Sequence, residues 1–184
     1  MVSLSALWLP ILLSAVFVFI ASNILWMAIP FWHRWEYGKL PDEAAALAAF
    51  SKAPSGQYMV PFVDWSKQTA EQRAEMDRGP MASIILRNPM SSFSFPVALI
   101  SYFLYTLVIS YFVAYLAANT LPAGTHYLRV FRIAGTAGIM AYAFGTIPQS
   151  IWYGKPWSVT LKYVVDAVIY GLLIAGTFGW LWPH

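Results

Sequence analysis

Residues 6–32 contain no charged side chain, and no other feature limits the fold as strongly. A helix rises about 1.5 Å per residue, and about 20 apolar residues cross the hydrocarbon of a bilayer. A helix that is apolar all round must be buried on every face, in a large core or in lipid. The chain has 184 residues, with 59% hydrophobic and only 10% charged. A soluble domain carries about 25% charged residues, so lipid is the environment this balance fits. A secretory signal needs a basic start, a short apolar core and a small-residue cleavage site. Nothing basic precedes residue 6 and the run is too long, so it reads as a retained membrane helix. Three further apolar runs, at 95–118, 130–151 and 159–182, complete the expected fold. It is an all-α four-helix transmembrane bundle forming a single membrane domain, with a small mixed helix and strand insertion at 33–92.

The insertion holds most of the charge. Its signs alternate from Arg34 and Glu36 through Lys67, Arg73, Glu75 and Asp77 to Arg87, the pattern of an ordinary solvated surface. Pro41, Asp42 and Glu43 lead into AAALAAF, which predicts a short helix with acids at its positive end. Thr69 and Gln72 have capping-box spacing, and the helix they open should stop at Gly79-Pro80. QYMVPFV and MASIILR are rich in strand formers and are expected to pair as a two-stranded ribbon. Tyr58, Phe62, Trp65, Ile84 and Ile85 give this segment too much apolar surface for a linker.

Small residues recur along the later runs. Thr106, Ser110, Ala114 and Ala118 share one helix face; Ala134, Gly138 and Gly145 share another; Ala167, Gly171, Ala175 and Gly179 form a third. Such ladders let neighbouring helices approach closely. Gly171→Leu is therefore expected to disrupt packing.

The net charge of +3 comes from scattered basic residues without a recognition motif, so no nucleic acid partner is expected. The absence of cysteine excludes disulfides and thiolate chemistry. Phosphate loops, serine elbows and HExxH are absent. His33, His126 and His184 do not share a helix at ligand spacing, and no metal or other cofactor is predicted.

The polar positions inside or beside the spans are few. Asp166 is the acid within a span, by default a functional position. Lys162 lies one turn before it, and an i,i+4 ion pair between them is the favoured reading. Tyr163, Tyr170, Gln149 and Asn23 are possible companions of Asp166. Asn23 otherwise reads as a helix–helix hydrogen bond. Arg129 and Arg132, three apart, read as anchors to lipid phosphate. With four crossings, the positive-inside rule places both termini outside and the insertion in the cytoplasm. Trp8, Trp180 and Trp182 would belt the outer interface, and Trp32, Trp35, Trp152 and Trp157 the inner one.

KLPDE (39–43), SGQYMVP (55–61), YFLYTLVISYFVAYLA in the second span, RVFRIAGTAG (129–138) and the stretch 147–183 together resemble a family of small bacterial membrane proteins. The resemblance implies a four-span protein of the bacterial inner membrane. It carries no activity and no catalytic residue over to this chain.

The leading functional expectation is a non-enzymatic accessory or scaffold subunit, with lipids and other membrane subunits, or further copies of itself, as partners. A small transporter or proton-conducting protein using Asp166 is the alternative. A lipid- or quinone-modifying enzyme ranks third. It would need a polar cluster of His33, Glu36, Asp166 and Tyr153.

Overall fold

The computed structural model describes residues 2–184 apart from Trp65, Lys67 and Gln68, and apart from the side chains of Pro30, Glu75 and Ser91. The expected Trp65 and Lys67 contributions to the insertion lie outside the described residues. Four helices are long and apolar enough to cross a membrane: Leu4–Ala28, Phe95–Thr120, Tyr127–Tyr153 and Trp157–Trp180. The described residues group into two compact units. One holds these spans up to Ser150 in the third, and the other runs over Tyr37–Phe93 with Ile151–Gly154.

In the first unit, α1 (Trp8–Asn23), α5 (Phe95–Thr120), α6 (Tyr127–Ala143) and α8 (Trp157–Trp180) form the bundle. Each packs on two neighbours: α1 on α5, α5 on α6, α6 on α8, and α8 back on α1. The apolar core gathers toward one end, around Leu7, Val113, Val130, Ile174 and Phe178. The expected small-residue faces are there. Thr106, Ser110, Ala114 and Ala118 are buried, as are Ala134, Gly138, Ala167, Gly171 and Ala175.

The tightest helix contact is between α6 and α8. A Cβ on Gly171 would overlap Ile139 and lie 3.0 Å from the Gly135 carbonyl oxygen. A Cβ on Gly138 would lie 3.2 Å from the Gly171 Cα, and one on Gly179 would lie 2.7 Å from the Tyr127 ring. Gly145 departs from the expectation. It is exposed, and a Cβ there would meet nothing within 4 Å. The cause is local: Pro148 has no N–H to offer the Phe144 carbonyl. The helix tightens into a 3-10 turn at Phe144–Thr146 before α7 (Ile147–Tyr153), which takes Gly145 off the stripe of Ala134 and Gly138.

The first span also departs from the expected continuous run of 6–32. It widens into a π turn at Ile24–Ala28 and breaks at Ile29, before the short helix α2 (Pro30–His33). Pro30 cannot donate to the Trp26 carbonyl, and the residue before a proline is driven out of the helical region. Ile29 accordingly has φ −105° and ψ 84°, with its N–H bonded back to Ile24. This bend positions the site described below.

At the opposite end, Trp182 donates from Nε1 to the Pro122 carbonyl at 3.0 Å, and Gly124 N–H bonds the Pro183 carbonyl at 2.9 Å. Gly124 has φ +74°, a conformation that glycine adopts without strain. Trp182 is therefore buried under the α5–α6 connection rather than standing in an interfacial belt, whereas Trp8 and Trp180 are exposed.

The second unit carries the expected elements. Asp42 caps α3 (Glu43–Phe50), and Thr69 with Gln72 forms the capping box of α4 (Ala70–Arg78). Strands β1 (Gly56–Val60) and β2 (Ala82–Leu86) pair antiparallel, with Tyr58 opposite Ile84.

Candidate functional site

The bend at Ile29–Pro30 returns the chain toward α8. His33, at the end of α2, lies with its imidazole stacked on the Trp26 indole, ring centroids 3.9 Å apart and nearly parallel. Its Nε2 is 2.9 Å from Asp166 Oδ2, and its Nδ1 is 2.5 Å from Glu36 Oε1. Trp32 donates from Nε1 to the other Asp166 oxygen at 2.7 Å. Tyr163 donates from its hydroxyl to Glu36 Oε2 at 3.4 Å. All three members of this carboxylate–imidazole–carboxylate line have buried side chains.

Hydrogen-bond counting gives the fewest protons that satisfy this line. A neutral imidazole has one N–H and one acceptor nitrogen, and an ionised carboxylate only accepts. Each of the two contacts needs one proton between its atoms. Two protons shared among two carboxyls and one imidazole leave one net negative charge, wherever each proton sits. Buried charge without a partner is costly, more so at membrane depth.

Two ammonium groups lie near without pairing directly. Lys155 Nζ sits 3.5 Å from the Tyr163 ring centroid, and Lys162 Nζ 6.0 Å from that of Trp32. Partial burial pulls the Lys155 ammonium below the usual lysine range, and the Glu36 carboxylate opposes that pull. The favoured Lys162–Asp166 pair is not formed. Asp166 turns to Trp32 and His33, which the bend delivers to it, and Lys162 lies over the Trp32 ring.

Beside this line the bundle opens into a cavity of about 540 Å³. Asp166 and Tyr170 of α8 lie on its wall, with Tyr142 of α6 and Tyr102 and Tyr105 of α5. The first span contributes Ser22, Asn23 and Trp26. Tyr170 is only 4% exposed. The hydroxyls of Tyr142 and Tyr170 are buried without an aligned hydrogen bond within the chain, although Tyr102 is a polar neighbour of both. Buried hydroxyls in that condition point to a bound molecule or water. Met27 and Phe95, also on the wall, are apolar and exposed.

The structure thus unites His33, Asp166 and Asn23 of the expected polar positions. Asn23 does not bridge helices; its Nδ2 donates to the Phe19 carbonyl of its own helix at 2.7 Å, leaving the residue on the cavity wall. Tyr163 and Tyr170 are companions of Asp166 as expected, and Gln149 is not on the wall. Arg129 and Arg132 are exposed in the first turns of α6, about 20 Å and about 15 Å along that helix from Tyr142 at 1.5 Å per residue. Of the polar cluster imagined for a membrane enzyme, His33, Glu36 and Asp166 meet, with Tyr163 as the tyrosine in contact. Trp26 and Trp32 went unrecognised as site residues. The readable signal was Pro30, whose position predicts a break and a return of the chain. The two carboxylates face opposite nitrogens of one ring and do not converge on a point. Among the described residues no group of three His, Cys, Asp or Glu side chains is arranged to hold a metal ion.

Comparison with family models, with curated proteins and with solved structures finds no match to this chain.

Proposed function

We propose that this multi-pass membrane protein binds a small lipid-soluble molecule inside its bundle and couples that binding to protonation of the Asp166–His33–Glu36 line, as a small transporter would. The observation that carries this reading is the cavity itself: a chamber lined mostly by aromatic residues whose wall includes Asp166 of that line. Ligand sites are commonly concave, mostly apolar and supplied with a few placed polar groups. The small-residue ladders, which would otherwise argue for a partner subunit, are largely buried within the bundle, the α6 and α8 ladders against each other.

The test is equilibrium binding to the protein in lipid nanodiscs of three probes: tetraphenylphosphonium, tetraphenylborate and a neutral short-chain benzoquinone. The reading requires that at least one binds, that Trp26→Leu weakens it, and that its pH dependence changes in Asp166→Asn. If none binds, or if binding ignores both substitutions, the reading fails.

A second reading is favoured by a separate observation. In the insertion unit Leu47, Phe62, Ile85 and Met90 are exposed, more apolar surface than a free aqueous face usually shows. An accessory subunit within a larger membrane assembly, or a homo-oligomer, would cover it. Sizing after gentle extraction tests this, and a bare monomer would remove it. For either reading the proposed setting is the bacterial inner membrane, termini outside and insertion in the cytoplasm. The motif resemblance supports the membrane, and the basic residues of the insertion support the orientation.

A further inference from the structure

We propose that the ligand of the bundle cavity is a lipid-soluble organic cation, an onium or protonated amine with apolar arms, which exchanges against a proton on the Asp166–His33–Glu36 line. This rests on the reading of the cavity as a ligand site given above.

Four observations converge. Among the described residues, Asp166 is the one charged residue on the wall, and no Lys, Arg or His lines the cavity, so an anionic headgroup or fatty acid would meet no balancing positive charge there. Much of the rest of the wall is aromatic: Trp26, Tyr102, Tyr105, Tyr142 and Tyr170. Cations sit favourably over such rings, and aromatic cages are the usual recognition device for quaternary ammonium. Finally, the line behind the wall holds one net negative charge by its own hydrogen-bond count. Among the described residues neither Lys155 nor Lys162 forms an ion pair with it.

A buried excess charge is neutralised by a counter-ion or by a third proton, and both serve the same end here. Cation and proton therefore compete. Occupancy by a cation releases the third proton, and a falling pH expels the cation. The groups that face the line are Tyr163, Lys155 and Lys162 from α8 and the turn before it. From the other helices they are Tyr102 and Tyr105 of α5 and Tyr142 of α6, with Tyr170 on α8 itself. The line itself is the titrating element, because it is where the hydrogen-bonded carboxylates and imidazole meet. Met27 and Phe95 on the wall are apolar and exposed, which suits the arms of such an ion.

The three-probe measurement in nanodiscs separates this proposal from the reading beneath it. Tetraphenylphosphonium and tetraphenylborate share a shape and differ in sign. The cation is expected to bind with an affinity that falls by up to about tenfold per pH unit on the acid side, the limit for one linked proton. The anion is expected not to bind. Asp166→Asn preserves an acceptor for Trp32 and should remove the pH dependence together with most of the affinity. Trp26→Leu, at a half-exposed wall position, should weaken binding by at least about threefold. Tetraphenylborate binding as well as the cation, or a cation affinity flat with pH, overturns the proposal. Binding of the neutral quinone alone, still sensitive to Trp26→Leu and altered in pH dependence by Asp166→Asn, overturns the cation assignment and leaves the cavity reading standing. Absence of all three overturns both.

Discussion

His33 Nε2 and Asp166 Oδ2 lie 2.9 Å apart across a sequence separation of 133 residues, and that contact ties the end of the first span to the middle of the last. Removing the imidazole leaves two buried carboxylates without their shared partner. His33→Ala is expected to destabilise the protein by about 3–5 kcal/mol, the usual cost of breaking a buried charged pair from one side. His33→Gln, which can still bond a carboxylate, should lose less. Thermal unfolding in detergent ranks the two, and equal stability of His33→Ala and the parent would contradict the hydrogen-bonded line.

Lys162 provides the converse. Its ammonium lies over the Trp32 ring and does not pair with Asp166. Lys162→Ala should change stability by no more than about 0.5 kcal/mol, as surface substitutions do. If Lys162 were the structural counter-ion of Asp166, the same substitution would strand a buried carboxylate and cost several times as much. The same unfolding assay decides.

Gly171 and Gly145 differ although both belong to small-residue stripes in the sequence. Gly171→Ala drives a methyl into Ile139 and against the Gly135 carbonyl. Overpacking of this kind costs about 1–3 kcal/mol, and Gly171→Leu should cost more. Gly145→Ala meets open space and should leave the melting temperature unchanged or slightly raised. Equal tolerance of both would refute the α6–α8 packing.

In the insertion, Asp64 Oδ1 accepts from the Ser66 N–H at 3.0 Å and from the Ser66 hydroxyl at 2.6 Å. These bonds, side chain first, hold its carboxyl below the ordinary value of 3.8. The sign follows. With a depressed folded value, the turn has its full benefit above pH 3.8 and loses it as pH falls through the lower, folded value. Carboxyl chemical shifts followed by NMR should show Asp64 titrating below the ordinary aspartate range, and Ser66→Ala should return it toward that range.

The bundle was legible in the sequence because its signals are local. Uncharged length gives each span, and four-residue spacing of Ala167, Gly171 and Ala175 gives the face that packs. The capping box at Thr69 and the two strands were readable for the same reason. The site was legible only in pieces. Asp166 stands out as an acid in a span, but its nearest basic residue along the helix, Lys162, is the wrong partner. The right one comes from the far end of the chain through the break at Pro30, and periodicity carries no information about where a broken helix points. The stripe containing Gly145 failed for a similar reason: Pro148, three residues further on, tightens the helix at Phe144–Thr146.

The contact of Gly171 with Gly135, Gly138 and Ile139 also has a mechanical meaning. Backbones that meet without intervening side chains have no soft layer to shear, so α6 and α8 move as one rigid bar. Asp166 and Tyr142 ride on that bar, while Trp26, Tyr102 and the Ile29 bend belong to the helices beside it. On the transport reading, any opening of the chamber is expected to come from α1 and α5 moving against that pair. The break at Ile29 is the natural pivot of that stroke.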